Sequence, residues 1–345
     1  MKNKYNPHLV LGARVVFGKN GSNLGADFEK KVPHLLELIA ELKVTTVRVP
    51  LNWACNQPGP NKISWEPTAD KIISLLHQKN IEIVGNLSSV PRWASELEKK
   101  DCDLFRKKGV ANLMNVVQPK KTALPEYSHY LTQALDHYGK YIKYYEFWNE
   151  PDGMGWPIIK RNEQGTPIDI IYGGNPELYT AYLKATYEVI KNKNPDFQLA
   201  GGSLESHTSF LEDMYKFNGA AYFDALSIHP YGNGSALNYK WIDEIRNTMV
   251  QHGDEHKPLW LTEYGWNIDQ LTEKQHGEFV QECLTYLQKT PFITIAHIHT
   301  LNDWRIEETN PDSVAKMGLV DYSLKKRPAF FTFQQCVKEI KDKND

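Results

Sequence analysis

A chain of 345 residues with 41% hydrophobic and 24% charged side chains has the make-up of an ordinary folded protein, long enough to bury a large core. Its formal net charge of −2 supplies no basic field for nucleic acid or an anionic membrane, so neither is expected as a partner. No apolar run nears the ~20 residues needed to span a bilayer. The polar opening Met1–His8 has no signal-like core behind it, so the chain as given is expected to be cytoplasmic, or secreted or periplasmic if a leader has been removed. Cys55, Cys102, Cys283 and Cys336 are widely scattered and are expected to be reduced thiols, with no zinc or redox spacing.

Along the chain, a short apolar run followed by a loop and a helix-period segment recurs eight times. The runs are Leu9–Phe17, Val44–Trp53, Ile81–Leu87, the stretch from Tyr144, Phe197–Gly202, Ala225–His229, Leu259–Glu263 and Ile293–Thr300. Their helices are expected near Phe28–Leu42, Ala69–Lys79, Tyr127–Tyr141, Pro176–Asn192, Ser209–Asn218, Trp241–His252, Glu273–Gln288 and Ala329–Lys341. In the first, Leu35, Leu36, Leu38, Ile39 and Leu42 form one apolar face. Pro195, Pro258 and Pro291 sit just ahead of strands, where they end a helix and cost no central ladder bond.

Such alternation implies parallel strands with right-handed crossovers, and eight units over this length fit a closed α/β barrel, (β/α)8. An open doubly wound sheet would usually carry a Gly-rich phosphate turn after the first strand, which Phe17-Gly18-Lys19-Asn20-Gly21 does not match. The loops near 88–125, 152–175 and 301–327, all after strands, are the long ones. In a barrel these lie on the face that holds the active site. The first carries Glu96, Glu98, Lys99, Lys100, Asp101, Asp103, Arg106, Lys107 and Lys108, whose charges nearly cancel, and reads as a solvated wall.

Polar residues end the strands on that face. Arg48 is expected near the end of the second, Asn149 and Glu150 at the fourth, His229 and Tyr231 at the sixth, Glu263 at the seventh, with Trp304 after the eighth. Pro151 disfavours the helical region for its predecessor, so Glu150 is expected extended at a strand end. Strands four and seven lie almost opposite in a barrel, so Glu150 and Glu263 point across one mouth. Two facing carboxylates are the minimum equipment for glycoside hydrolysis, ~5–5.5 Å apart for retention and ~6.5–9.5 Å for inversion. One must stay protonated and the other ionised, and Arg48 is the cation available to Glu263.

Phe147-Trp148-Asn149-Glu150-Pro151 and Leu261-Thr262-Glu263-Tyr264-Gly265-Trp266, with Gly318-Leu319-Val320 and Arg327-Pro328-Ala329 later, resemble glycoside hydrolase clan A, most closely family 39 and its single-barrel relatives. The resemblance covers essentially the whole chain and implies a single catalytic TIM barrel over 1–345 without an accessory domain. It implies a retaining double displacement on an oligo- or polysaccharide, with Glu150 as acid/base and Glu263 as nucleophile, and no cofactor. It further implies that Asn149 binds the sugar 2-hydroxyl, that Arg48 keeps the nucleophile ionised, and that His229 and Tyr231 line the cleft. Trp304 would be its aromatic floor, with Trp93 and Trp266 as further candidates.

Plainer readings stand beside these. Arg48 could be a barrel-mouth ion pair, His229 a hydrogen-bonded core histidine, and Trp53, Trp93, Trp148, Trp156, Trp266 and Trp304 simple barrel caps. In His297-Ile298-His299 both imidazoles face one side, which would allow a metal-dependent hydrolase, although no second His/Asp group completes a site. A glycan-binding barrel without turnover is the remaining alternative.

Overall fold

The computed structural model describes residues 6–15, 27–107, 117–153, 156–171, 173–305 and 314–344. Eight parallel strands close into a barrel: β1 Val10–Arg14, β2 Thr46–Asn52, β3 Glu82–Ser88, β4 Tyr144–Phe147, β5 Gln198–Leu204, β6 Ala225–Ile228, β7 Leu259–Tyr264 and β8 Ile293–His299. Each neighbours the next in sequence, and β8 closes on β1 with Gly12 opposite His297 and Arg14 opposite His299. The expected α/β class and (β/α)8 architecture are observed. The end of the first expected strand at Phe17, the turn 18–21 and Lys108 lie outside the described residues.

Around the strands run α1 Asp27–Leu42, α2 Pro67–Gln78, α3 Leu124–Tyr138, α4 Pro176–Lys193, α5 Thr208–Lys216, α6 Tyr239–Gln251, α7 Glu273–Lys289 and α8 Pro328–Asn344. The five apolar residues of α1 are all buried against the barrel. Each such side chain contributes roughly 1.5–3 kcal/mol by leaving water. No helix among the described residues is long and apolar enough to cross a membrane. No disulfide joins any of Cys55, Cys102, Cys283 and Cys336.

Strand alternation sorts β4 into two faces. Tyr145 and Phe147 join the large core between barrel and helices, whereas Tyr144 packs inward against Val84, Ala200, Ala225, Trp260 and Ile295, which plug the barrel. Glu146 shares that inward face, one step nearer the mouth, and is fully buried. Gly12 makes room for the inward ring of His297, since a Cβ there would come within 2.2 Å of it.

The long loop after β3 departs from a solvated wall. It contains the helix Lys99–Lys107, which buries Cys102 and Phe105, and its Asp101, 0% exposed, pairs with Arg161 at 2.9 Å. Arg161 belongs to a hairpin, Ile158–Arg161 with Pro167–Ile171, in the loop after β4, so the charges tie two loops together. After β8, Asp303 accepts from Gly318 N–H at 2.8 Å and pairs with Arg327 at 2.7 Å, stapling that loop ahead of α8.

Just past β4, the fully buried Asp152 accepts backbone N–H bonds from Glu205, Ser206 and His207 at 2.8–3.2 Å. These charge-assisted bonds fix the exits of β4 and β5 to each other. Asp152→Ala is expected to lower the urea unfolding free energy by about 2 kcal/mol, since three backbone donors lose a buried, charged acceptor; an unchanged midpoint would contradict that role.

Candidate active site

The mouth is built on one guanidinium. Arg48 is 3% exposed and its three nitrogens each find a different acceptor: Nε to Glu146 at 2.6 Å, Nη1 to Glu263 at 2.5 Å and Nη2 to Asn149 at 3.0 Å. It stands third in β2 rather than near its end, and reaches upward from the barrel interior. The planar fork holds β2, β4 and β7 at once, a geometry a lysine could not reproduce.

Glu263, 4% exposed, is surrounded by donors and cations. Tyr231 O–H donates to Oε2 at 2.7 Å, His299 Nδ1 lies 2.7 Å from the same oxygen, and Arg14 Nη1 lies 3.4 Å from Oε1. The same Nδ1 lies 3.1 Å from Arg14 Nη1, so the ring's tautomer decides whether this nitrogen donates to Glu263 or accepts from Arg14. Burial by itself would raise Glu263, but His299, Arg14, His229 and Arg48 hold its carboxyl well below the usual range. Burial and Arg14 lower the His299 imidazole, so the lasting positive charge beside Glu263 is that of the two arginines. Tyr231 is raised well above its ordinary value by burial and by the neighbouring carboxylates, and remains a donor.

Glu150 sits differently. It lies three residues beyond the end of β4 and its backbone is left-handed, φ 51°, not extended. Its N–H donates to Ser203 O at 2.9 Å on β5, and Gly153 N–H returns to Glu150 O at 3.1 Å, so the turn overrides the preference set by Pro151. Trp148 is also left-handed, φ 71°, with its N–H on Leu87 O at 2.9 Å. Two such residues within three positions store roughly 1–3 kcal/mol each, and their effect is to lift the Glu150 side chain, 21% exposed, over the mouth.

His229 connects the two carboxylates' surroundings. Its Nδ1 is 2.9 Å from Glu150 Oε1, and its Nε2 is 3.1 Å from Thr262 Oγ1. Thr262 donates its hydroxyl to Glu146 at 2.5 Å, so it accepts from Nε2–H and leaves Nδ1 to meet Glu150. Burial lowers this imidazole, but Glu263 and Glu150 raise it above its ordinary value on balance. The ring thus accepts a hydrogen bond from the Glu150 acid, or donates to the carboxylate when charged.

Of the sequence-predicted residues, the structure brings together Arg48, Asn149, Glu150, His229, Tyr231 and Glu263. Trp304 is half-buried with its ring 5.5 Å from that of His299, at the edge of this group. Trp93 and Trp266 are not joined to it by a hydrogen bond or ring contact among the described residues. Trp93 is edge-on to Trp53 at 5.7 Å and donates to Gln57 O. Trp266 is 5% exposed, tied to Ala236 O at 3.0 Å and packed on His276 and Phe279, so it offers no open face. Trp53, Trp148 and Trp156 are fully buried.

Glu146, Thr262, Asn86 and Arg14 had not been singled out. Asn86 donates to Glu146 at 2.9 Å and Arg14 meets the His299 ring at 3.1 Å. A signal for Glu146 existed: alternation puts an acid inside the barrel, where it needs a cation, and Arg48 is two strands away, across β3. His297 and His299 do face inward together but serve separate partners, His297 lying 3.4 Å from Thr46 Oγ1 and His299 beside Glu263. The group whose ligand atoms do lie within 4.8 Å of one another is Glu150, His229 and Glu263. Arg48 and Arg14 already neutralise Glu263, which disfavours a further cation there.

Residues 177–314 match a family model described as the glycosyl hydrolase catalytic core. The resemblance is to glycoside hydrolases. No curated protein matches the sequence. Among solved structures, a family 39 glycoside hydrolase from the gut symbiont Bacteroides cellulosilyticus WH2 superposes with a TM-score of 0.65 at 15% identity, over 97% of this chain and 64% of that one. GH5_18 from Streptomyces cattleya, in complex with GlcNAc, gives 0.68 at 15% identity over 96% and 80%. A monomeric beta-xylosidase from Caulobacter crescentus CB15 gives 0.67 at 16% identity over 95% and 67%. At these identities the likeness shows a shared fold.

The buried titratable groups make stability depend on acid. Burial lowers His297 to about 3 and His276 to about 4, so the unfolded chain binds their protons first as pH falls below about 6.5. Glu146 is also held low: burial opposes this, but Arg48 and His229 overcome it. The stability that Glu146 and Glu263 contribute is present above the ordinary carboxylate range and lost as pH falls through their lowered values. Unfolding free energy is expected to decline from pH 6.5 downward and more steeply below about 4.5, with a shallower lower limb in Glu263→Gln. A stability flat from pH 7 to 3 in denaturant melts would contradict these assignments.

Proposed function

We propose that the protein is a retaining O-glycosidase acting on an oligo- or polysaccharide, with residues 1–345 as one catalytic barrel. The observation that carries this reading is the pairing of Glu150 and Glu263, whose nearest carboxylate oxygens lie within 4.8 Å across the mouth. That separation favours direct attack at the sugar carbon over activation of an intervening water, which needs ~6.5–9.5 Å.

The two environments suit two roles. Glu263, buried among Arg48, Arg14, His299 and Tyr231, is ionised and aimed, as a nucleophile must be. Glu150 is more exposed and keeps His229 at hand to take or return a proton. In the first step Glu150 gives its proton to the departing oxygen while Glu263 bonds the anomeric carbon. In the second, Glu150 takes a proton from water as that water displaces Glu263. Asn149, held by Arg48, presents its amide N–H groups to the sugar 2-hydroxyl, and Trp304 beside His299 offers an aromatic face. Arg48 therefore acts on both carboxylate charge and sugar binding.

The test is a panel of aryl glycosides. Glu263→Ala is expected to abolish turnover of every substrate. Glu150→Gln should lower kcat/KM ~10²–10⁴-fold for poor leaving groups and far less for activated phenols, which need little protonation. Azide should rescue Glu150→Ala and Glu263→Ala with products of opposite anomeric configuration, and a chelator should leave the parent rate unchanged. Full activity in Glu263→Ala would sink the mechanism.

A further inference from the structure

A third carboxyl stands at this mouth. Glu205 is the first residue after β5, and its position is built from both neighbouring exits. Its backbone N–H is held by Asp152 at 3.0 Å, and its side chain lies directly on Gly153, where a Cβ would fall 1.6 Å from Oε1. Only a residue without a side chain leaves room for that carboxyl there. It reaches the Glu150 carboxyl within hydrogen-bonding distance. The titratable groups facing it are Glu150 and Asp152 from the β4 exit and His229 from the β6 exit.

Two carboxyls in contact cannot both ionise readily, and the surviving proton forms a strong hydrogen bond between them. Asp152 is unable to take that part, because both its oxygens are occupied by backbone N–H groups. We propose that Glu205 is a positioning partner of Glu150, the two carboxyls holding one proton between them and keeping it at the mouth for the departing oxygen. This rests on the reading of Glu150 as the acid/base. When Glu150 releases its proton to the leaving group the pair is left doubly ionised. The proton that Glu150 then takes from the attacking water restores the singly protonated pair, so the cycle balances. Burial, Glu150 and Asp152 together push the Glu205 carboxyl up to about 8, in line with a proton retained through neutral pH.

The experiment is a pH titration of protein carrying ¹³C-labelled glutamate carboxyls, followed by NMR without any substrate. One resonance is expected to titrate near 8, to vanish in Glu205→Gln, and to move down by a pH unit or more in Glu150→Gln. Gly153→Ala, which displaces the Glu205 carboxyl, should move it down likewise. The spectra themselves report whether each variant is folded. In turnover of a phenyl glycoside, Glu205→Gln should shift the alkaline limb of kcat/KM toward acid by a unit or more, with kcat at the optimum reduced less than in Glu150→Gln. If the resonance is absent, or stays put in folded Glu150→Gln, the shared proton is refuted. Because that readout needs no catalysis, it stands or falls separately from the glycosidase assignment, which is tested by the Glu263 and Glu150 variants. An unshifted alkaline limb in an active Glu205→Gln would equally overturn it.

Discussion

The three-way fork of Arg48 is the constraint on which the rest of the site depends. A guanidinium buried to 3% exposure needs partners for its donors, and here each of its three nitrogens has one, in Glu146, Glu263 and Asn149. Removing a partner would leave a charge stranded in the barrel, which is typically several kcal/mol worse than never having buried it. Glu146 is consequently more than a spacer in the strand. It anchors the guanidinium from below, so that the remaining nitrogens point up at the residues of the mouth.

From that anchor, polarity runs outward in one direction. The bottom of the barrel is closed by Val84, Ala200, Ala225, Trp260 and Ile295, and the layer above is a hydrogen-bonded network of Glu146, Thr262, His229 and Asn86. A buried polar network is costly unless complete, and complete ones fix tautomers and rotamers. The result is two carboxylates with opposed surroundings. Glu263 is enclosed by donors, while Glu150 is raised on a strained turn toward solvent, with a histidine and a second carboxyl beside it.

The loops make the same point about division of labour. Those after β3, β4 and β8 carry ion pairs built on buried carboxylates, Asp101 with Arg161 and Asp303 with Arg327, which hold their bases. Their rims would decide what is admitted to the mouth, whereas the strand ends hold the charged groups that meet it.

The sequence by itself determined the barrel, because period-2 and period-3.6 patterns repeat locally and each element needs only its own residues to declare itself. It also determined the paired acids, since Asn149-Glu150-Pro151 and Thr262-Glu263-Tyr264 fall at the ends of strands that closure brings face to face. What only the tertiary structure decided is who touches whom. Glu146, Thr262, Arg14 and Glu205 are unremarkable in the linear chain and acquire their roles through contacts 33 or more residues away. The left-handed turn at Glu150 is of the same kind. A local rule set by Pro151 predicted extension, and a hydrogen bond from a neighbouring strand overruled it. Likewise Trp266 looked like a platform in sequence and is walled in by α7, because burial is a property of the packed molecule and not of the residue.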